Sequence, residues 1–252
     1  MVDGSPAAVV DRRIDTLRAL DTASDSKAGL IDRVGVSRST IDRALRELTT
    51  HGFVTATTDG YRLTLPGRLV LDEYGRRTRR IGAIADAAPL FDGIDLAFDI
   101  DPAVFDGATI LESTPHAPNR PAEGIAMLVT DATHVSVYTA RFLSRHARVY
   151  HDRVLAGMTG TFVATERVID QQRATCPGDL REAVDLGRVA VRRTDRDDPV
   201  TLLLAETPDG PEMGLVVYRD DTPWGFVGND DPAATRWARA LHDRLWSTAA
   251  PI

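Results

Sequence analysis

Residues 26–54 read SKAGLIDRVGVSRSTIDRALRELTTHGFV, and the rest of the chain is organised around this stretch. Leu30, Ile31 and Val34 suit one face of a short helix, and Ile41, Leu45 and Leu48 recur at i, i+4 and i+7 for a second. Between them Gly35 ends the first helix, because a left-handed C-terminal residue is cheap only without a β-carbon, and Ser37 then caps the next. The pattern is that of a helix-turn-helix. On the second helix the face turned away from the apolar positions carries Ser39, Asp42, Arg43 and Arg46, with Arg38 and Thr40 on its first turn. Such a helix fits a DNA major groove: arginine bonds guanine edges in pairs, hydroxyls reach bases or phosphates, and a capped N-terminus favours phosphate.

The neighbouring segments extend this reading. Ser5-Pro6 starts a helix, since proline at the first helical position gives up no needed donor, and Val10, Ile14 and Leu17 form its stripe. Beyond His51-Gly52, FVTATTDGYRLTL gives two short β-rich runs around Asp59-Gly60, a dipeptide suited to a tight hairpin turn. Three helices and a two-stranded wing make a winged helix, with Tyr61 and Arg62 placed to touch DNA beside the recognition helix. Thr64 then caps a fourth helix whose expected stripe is Val70, Tyr74, Ile81, Ile84 and Ala88, available for packing on a second domain or on another copy of the chain. Arg76, Arg77, Arg79 and Arg80 read as a solvated face of that helix. Ala87 to Asp101 reads as a linker.

The balance of charges is informative beyond the net −7: 29 Asp and 8 Glu stand against 29 Arg and a single Lys. Aspartate excess with almost no lysine matches proteins that stay soluble in concentrated salt, as in halophilic archaea. Residues 1–85 carry 14 basic against 11 acidic groups, net +3, and residues 86–252 carry 16 against 26, net −10. The basic part contains the helix-turn-helix. In strong salt little free energy comes from counterion release, so DNA recognition here is expected to lean on arginine hydrogen bonds and shape. No secretory signal and no bilayer-length apolar run is read, which places the protein in the cytosol, and the lone Cys176 cannot form an internal disulfide.

From Pro102 onward strands alternate with helices. Residues 108–113, 135–138, 160–164, 189–191, 200–205, 214–218 and 224–227 read as strands, and 123–129, 140–155, 168–174, 180–186 and 233–246 as helices. The expected fold class is therefore α+β or α/β, a winged helix-turn-helix followed by an α/β domain with a mixed sheet, its late strands forming an antiparallel meander. The expected boundaries are 1–86 for a DNA-binding domain with its linker helix and 87–252 for a regulatory domain.

Catalytic chemistry finds little support. The only lysine, Lys27, precludes a Walker lysine, a lysine Schiff base and the paired His and Lys of a phospholipase D site in the second domain. His146 and His151 are five apart rather than three or four, so they do not share a helix face as metal ligands, and His134 stands on a separate strand. Gly157 to Thr161 follows a helix rather than opening one, so it reads as a helix stop and not as a phosphate cradle. The acid pairs Asp99 and Asp101, Asp197 and Asp198, Asp220 and Asp221, and Asp230 and Asp231 read as solvated turns, and Trp224 as a packing residue. No catalytic residue, metal or cofactor is expected. An effector pocket is expected at strand ends of the α/β sheet, with Ser113, Thr114, His116, Tyr138, Arg141 and Thr165 as candidate lining residues and Arg141 suited to an anionic metabolite.

The stretches SRSTIDRALRELTTHGFV (37–54), DGATILESTPHAPNRP (106–121), YHDRVLAGMTGTFVATERVID (150–170) and WARALHDRLW (237–246) carry a family resemblance. In them the chain resembles archaeal winged-helix transcription regulators whose second domain is similar to the middle domain of the methanogenesis regulatory protein. It is also similar to sugar-sensing archaeal regulators built from a winged helix and an effector domain. The resemblance implies DNA binding by the first domain, dimerisation, and a sensory or interaction role for the second. The expectation is thus a cytoplasmic, homodimeric regulator that binds double-stranded DNA through Ser37, Arg38, Ser39, Thr40, Asp42, Arg43, Arg46, Tyr61 and Arg62. It is expected to answer to a small-molecule effector or a partner, and to have no membrane contact. The alternative is a metal-dependent nucleic-acid-processing enzyme targeted by its winged helix.

Overall fold

Caps written in the sequence set the first three helices. The Ser5 hydroxyl accepts from the Ala8 amide at 3.3 Å to open α1 (Pro6–Ala19), and Ser26 accepts from Gly29 at 3.1 Å to open α2 (Lys27–Val34). Ser37 does the same for α3 (Arg38–Thr50), and Gly35 between the two takes φ +73°, the left-handed stop that its missing β-carbon allows. In this computed structural model, which describes residues 4–142 and 144–252, Leu17, Leu30, Ile41 and Leu48 form a fully buried centre with Val9, Leu20, Phe53 and Leu63 around it. Each such side chain contributes about 1.5–3 kcal/mol by leaving water.

The wing is β1 (Val54–Thr57) against β2 (Gly60–Leu63), antiparallel with Thr57 opposite Gly60. Asp25 adds a third rung by exchanging both backbone hydrogen bonds with Tyr61 at 2.9 Å. This explains Gly60 twice over: its φ is +134°, and a β-carbon there would lie 2.2 Å from the Asp25 carbonyl oxygen. The chain divides into two compact units, Met1–Thr78 and Arg79–Ile252, and α4 (Leu65–Phe91), opened by Thr64 accepting from Gly67, supplies side chains to both cores.

The expected stripe on α4 holds only in its first half. Val70 and Tyr74 pack on the winged-helix core, but in the second half Ala83, Ala87 and Leu90 face their own core, while Ile81 and Ile84 are 59% and 37% exposed and Ala88 is exposed. Two alanines one turn apart allow the closer approach, so the packed face rotates away from the larger isoleucines. The expected linker is shorter too. Helix α4 runs through Pro89 to Phe91, and 92–101 is an extended strap whose alternate residues Ile94, Leu96, Phe98 and Ile100 pack on the second core.

The second unit is built on an eight-stranded mixed sheet of order β10-β6-β5-β4-β7-β8-β9-β3. Strands β4 (His134–Thr139), β5 (Thr159–Thr165) and β6 (Val189–Thr194) run parallel to one another, as helical crossovers require. The expected meander is β7 (Val200–Thr207), β8 (Gly210–Arg219) and β9 (Thr222–Asn229), with β3 (Thr109–Glu112) and β10 (Ala250–Pro251) at the edges. Residues on one face, among them Tyr138, Leu202, Leu204, Met213 and Val217, pack on α9 (Pro232–Thr248). The alternate residues Val135, Val137, Leu203, Val216 and Tyr218 pack on α5 (Arg120–Thr130), α6 (Ser144–Leu155) and α8 (Asp179–Asp185), with α7 (Glu166–Thr175) beyond β5. The predicted helix over 140–155 begins later than expected, at Ser144. His146 and Ala147 lie outside the residues whose side chains are described.

On this second face Phe226 lies in a hollow made by Gly124, Gly214 and Gly228, where a β-carbon would come within 2.6, 2.8 and 2.6 Å of its ring. Helix propensity alone favours Gly124→Ala by about 1 kcal/mol. Overpacking against a rigid buried ring costs about 1–3 kcal/mol and should win. Gly124→Ala is therefore expected to lower the urea midpoint, whereas Gly82→Ala, with open space at its β-carbon, should raise it slightly. A rise in both would mean that the hollow is slack.

Candidate nucleic-acid interface and ligand cavity

On α3 the buried residues Ile41, Ala44, Leu45 and Leu48 leave Ser39, Arg43, Arg46 and Thr50 together on the opposite, exposed face. The remaining expected contacts surround that face in different conditions. Ser37, Ser39 and Thr40 cluster their hydroxyls at the helix start, with Ser37 Oγ 3.0 Å from Ser39 Oγ and 2.9 Å from Thr40 Oγ1. Asp42 is already engaged: its carboxylate accepts from Lys27 Nζ at 2.6 Å. That hydrogen bond holds the Asp42 carboxyl below the usual carboxylate range and raises the ammonium of Lys27. Asp42 thus ties α3 to α2 rather than presenting a free group to a base. Tyr61 is half-buried, with Lys27 Nζ 6.0 Å from its ring centroid, whereas Arg62 on the wing is exposed.

The arginines of this unit fall into two sets. Away from the open face of α3, Arg13 reaches Glu47 at 2.9 Å, Arg33 reaches Asp25 at 3.1 Å, and Arg77 reaches Asp11 at 2.5 Å. Arg13 in turn holds Glu47 below its usual pKa. On the open face and the wing, the side chains of Arg38, Arg43, Arg46 and Arg62 make no ion pair or hydrogen bond among the described residues. Four planar cations are left with their donors unspent.

The six expected effector residues are not brought together. Ser113, Thr114 and His116 follow β3 at one edge of the sheet, where Ser113 Oγ donates to the Pro118 carbonyl at 3.3 Å and Thr114 Oγ1 accepts from Ala117 N at 3.1 Å to shape a turn. Thr165 caps α7 by accepting from Val168 N at 3.4 Å. Tyr138 is fully buried on the α9 face. Its hydroxyl donates to Asp198 Oδ2 at 2.8 Å, and burial pushes its pKa up. Arg141 alone of the six lines the cavity present in this unit.

That cavity, about 150 Å3, lies on the other face of the sheet, against β4, β5 and β6, and beneath α6, α7 and α8. Val137, Tyr150, Val154, Phe162, Ile169 and Tyr218 are among its walls. Sequence reasoning missed these residues because a side chain on an amphipathic element looks the same whether it fills a core or borders a void. The Arg141 guanidinium at its mouth is paired with both Asp197 and Asp221, as is Arg167 beside it, so two cations meet two anions. An anionic metabolite would find that charge already neutralised, which removes the reason for assigning one to Arg141. Among the described residues no three His, Cys, Asp or Glu side chains converge as a metal site, and no helix is long and apolar enough to cross a membrane.

Residues 118–248, which span α5 to α9 and so the whole cavity, match the family described as methanogenesis regulatory protein FilR1, middle domain. The chain belongs to this family. Residues 5–86 also match the HVO_A0261 N-terminal domain, a match that takes in the three helices, the wing and most of α4. No curated protein is significantly similar in sequence. Among solved structures, the archaeal chromatin protein TrmBL2, described as showing a novel mode of DNA binding, is 13% identical over 98% of this chain and 100% of its own, with a TM-score of 0.46. A putative O-methyltransferase from Nostoc punctiforme is 15% identical over 75% of this chain and 61% of its own, with a TM-score of 0.28. The O-methyltransferase NcsB1 of neocarzinostatin biosynthesis is 18% identical over 76% and 68%, at 0.25. The FilR1 middle-domain family is a regulatory one, and in this chain it follows a winged helix.

Proposed function

We propose that the protein is a transcription regulator that binds double-stranded DNA sequence-specifically through α3 and the wing, and that the FilR1-type domain reports a small molecule to it. The observation that carries the reading is the division of the arginines: Arg13, Arg18, Arg33 and Arg77 pair with Glu47, Asp15, Asp25 and Asp11 away from the groove-facing surface, and Lys27 holds Asp42 at its border, while the side chains of Arg38, Arg43, Arg46 and Arg62 have no such partner among the described residues and stay free for phosphates and base edges. The regulatory family of the second domain supports the same reading. Mapping the DNA bound in cells, followed by gel-shift titration of the recovered fragments at molar salt against scrambled competitors, tests it. Enrichment of a common motif is expected; uniform binding, or none, would sink the proposal.

The protein acts as a homodimer in this reading, with Ile81 and Ile84 of α4 meeting the same residues of a second copy. Two half-sites then improve both affinity and register. Because both side chains are exposed in the single chain, Ile81→Asp with Ile84→Asp should leave the circular dichroism unchanged and convert a dimer to a monomer by light scattering. Equal masses for the parent and the variant would refute the assigned face.

A further inference from the structure

The cavity against β4, β5 and β6 is a half-open pocket with an inner volume of about 150 Å3, a hollow of the kind that seats a small ligand. An apolar void of that size takes a benzene-sized guest. This one is lined mostly by apolar side chains, with Thr139, Arg141, His151, Gln172, Thr201 and the phenols Tyr150 and Tyr218 as its polar members. The Tyr150 hydroxyl is buried without a hydrogen-bond partner among the described residues, and its ring stands edge-to-face on Phe162 at 5.5 Å. The second phenol on the wall, Tyr218, ends a chain of hydroxyls: its oxygen is 3.1 Å from Thr201 Oγ1, which is 2.7 Å from Thr139 Oγ1.

The direction of that chain is fixed by its far end. Thr139 donates its single proton to the Arg141 carbonyl at 2.7 Å, so it must accept from Thr201. Thr201, having spent its proton, must accept from Tyr218. Tyr218 therefore offers the cavity only lone pairs, while Tyr150 keeps an unspent proton. The two are close enough for Tyr218 to influence Tyr150 electrostatically, yet no hydrogen bond joins them. A group that accepts one hydrogen bond and donates another fits between them, and a hydroxyl does both. The charged groups around the pocket are matched, Arg141 and Arg167 by Asp197 and Asp221 and His151 by Asp179 at 3.8 Å, so neither sign of charge is favoured in a ligand.

We infer that the cavity binds a small neutral molecule with a ring-sized apolar body and one hydroxyl, the class of phenol, whose oxygen accepts from Tyr150 and whose proton goes to Tyr218. This deepens the sensory reading above and rests on it only for its effect on DNA. The test is calorimetric titration of the full-length protein with phenol, benzene and benzoate. Phenol is expected to bind at least tenfold more tightly than benzene, with benzoate not binding. Tyr150→Phe, which keeps the ring, should bring phenol down to the benzene level without lowering the melting temperature, since it removes an unpaired buried donor. Ala183→Leu should fill the cavity and abolish both; if that variant fails to fold, Tyr150→Phe carries the comparison. Equal binding of phenol and benzene, preference for benzoate, no binding, or strong destabilisation by Tyr150→Phe would each overturn the inference. Phenol binding that leaves the gel shift unaltered would uphold the site and overturn the sensory reading alone.

Discussion

Asp198→Ala is expected to destabilise the α/β unit by about 3 kcal/mol, a large share of the 5–15 kcal/mol typical of a domain. The Asp198 carboxylate, 6% exposed, gathers three donors from separate segments: the Ala97 amide of the strap at 2.9 Å, the Tyr138 hydroxyl of β4 at 2.8 Å, and Arg196 Nε at 3.1 Å. Removing it leaves the Tyr138 hydroxyl only the longer contacts at 3.3 Å to the Arg196 carbonyl and the residue-198 amide, and unties the strap, and hydrogen bonds to charged groups each contribute about 1.5–3 kcal/mol. Tyr138→Phe leaves the other two donors in place and should cost only about 1 kcal/mol. Urea unfolding followed by fluorescence gives both numbers; equal losses would mean that the strap does not depend on the carboxylate.

The same group sets an acid limit. Burial raises the Asp198 pKa, but the Ala97 amide, Tyr138 and Arg196 outweigh it and hold the carboxyl below its usual value. The folded form thus keeps its charge after the unfolded form has taken up a proton at about pH 3.9. Its contribution is complete above that pH and is lost as the pH falls through the lower folded value. The parent protein should therefore lose stability more steeply below about pH 4 than Asp198→Asn, and parallel curves would contradict the assignment.

Arg43→Ala and Arg46→Ala are each expected to weaken specific DNA binding by about 1–3 kcal/mol, and the double variant by up to about 6 kcal/mol if the two act independently. Both side chains are exposed and unpaired, so thermal stability should shift by less than about 0.5 kcal/mol. Arg13→Ala is the contrasting case. Its guanidinium joins α1 to α3 through Glu47 at 2.9 and 3.3 Å, so its loss should appear in stability before it appears in sequence preference. Gel-shift titration on a mapped site and on scrambled DNA separates the two. If Arg43→Ala and Arg46→Ala leave the preference for the mapped site intact, α3 is not the element that reads the bases.

The winged helix was legible in the sequence because every signal in it is local. Ser5, Ser26 and Ser37 cap helices within three residues, Gly35 and Gly60 solve their own backbone angles, and the i, i+4, i+7 spacing of Ile41, Leu45 and Leu48 names the buried face without reference to anything distant. The meander β7–β9 was equally readable, since short connections leave antiparallel pairing as the near choice. Tertiary structure alone decided which half of α4 turned its alanines inward, that Asp42 was spent on Lys27, and that Tyr138 joined Asp198, 60 residues away. It also decided that Tyr150 and Tyr218 border a void while Ser113, Thr114 and His116 shape a turn at the sheet edge. The reason is common to all four: periodicity and capping report what one segment does with itself, whereas a cavity or a buried carboxylate exists only where segments remote in the chain meet.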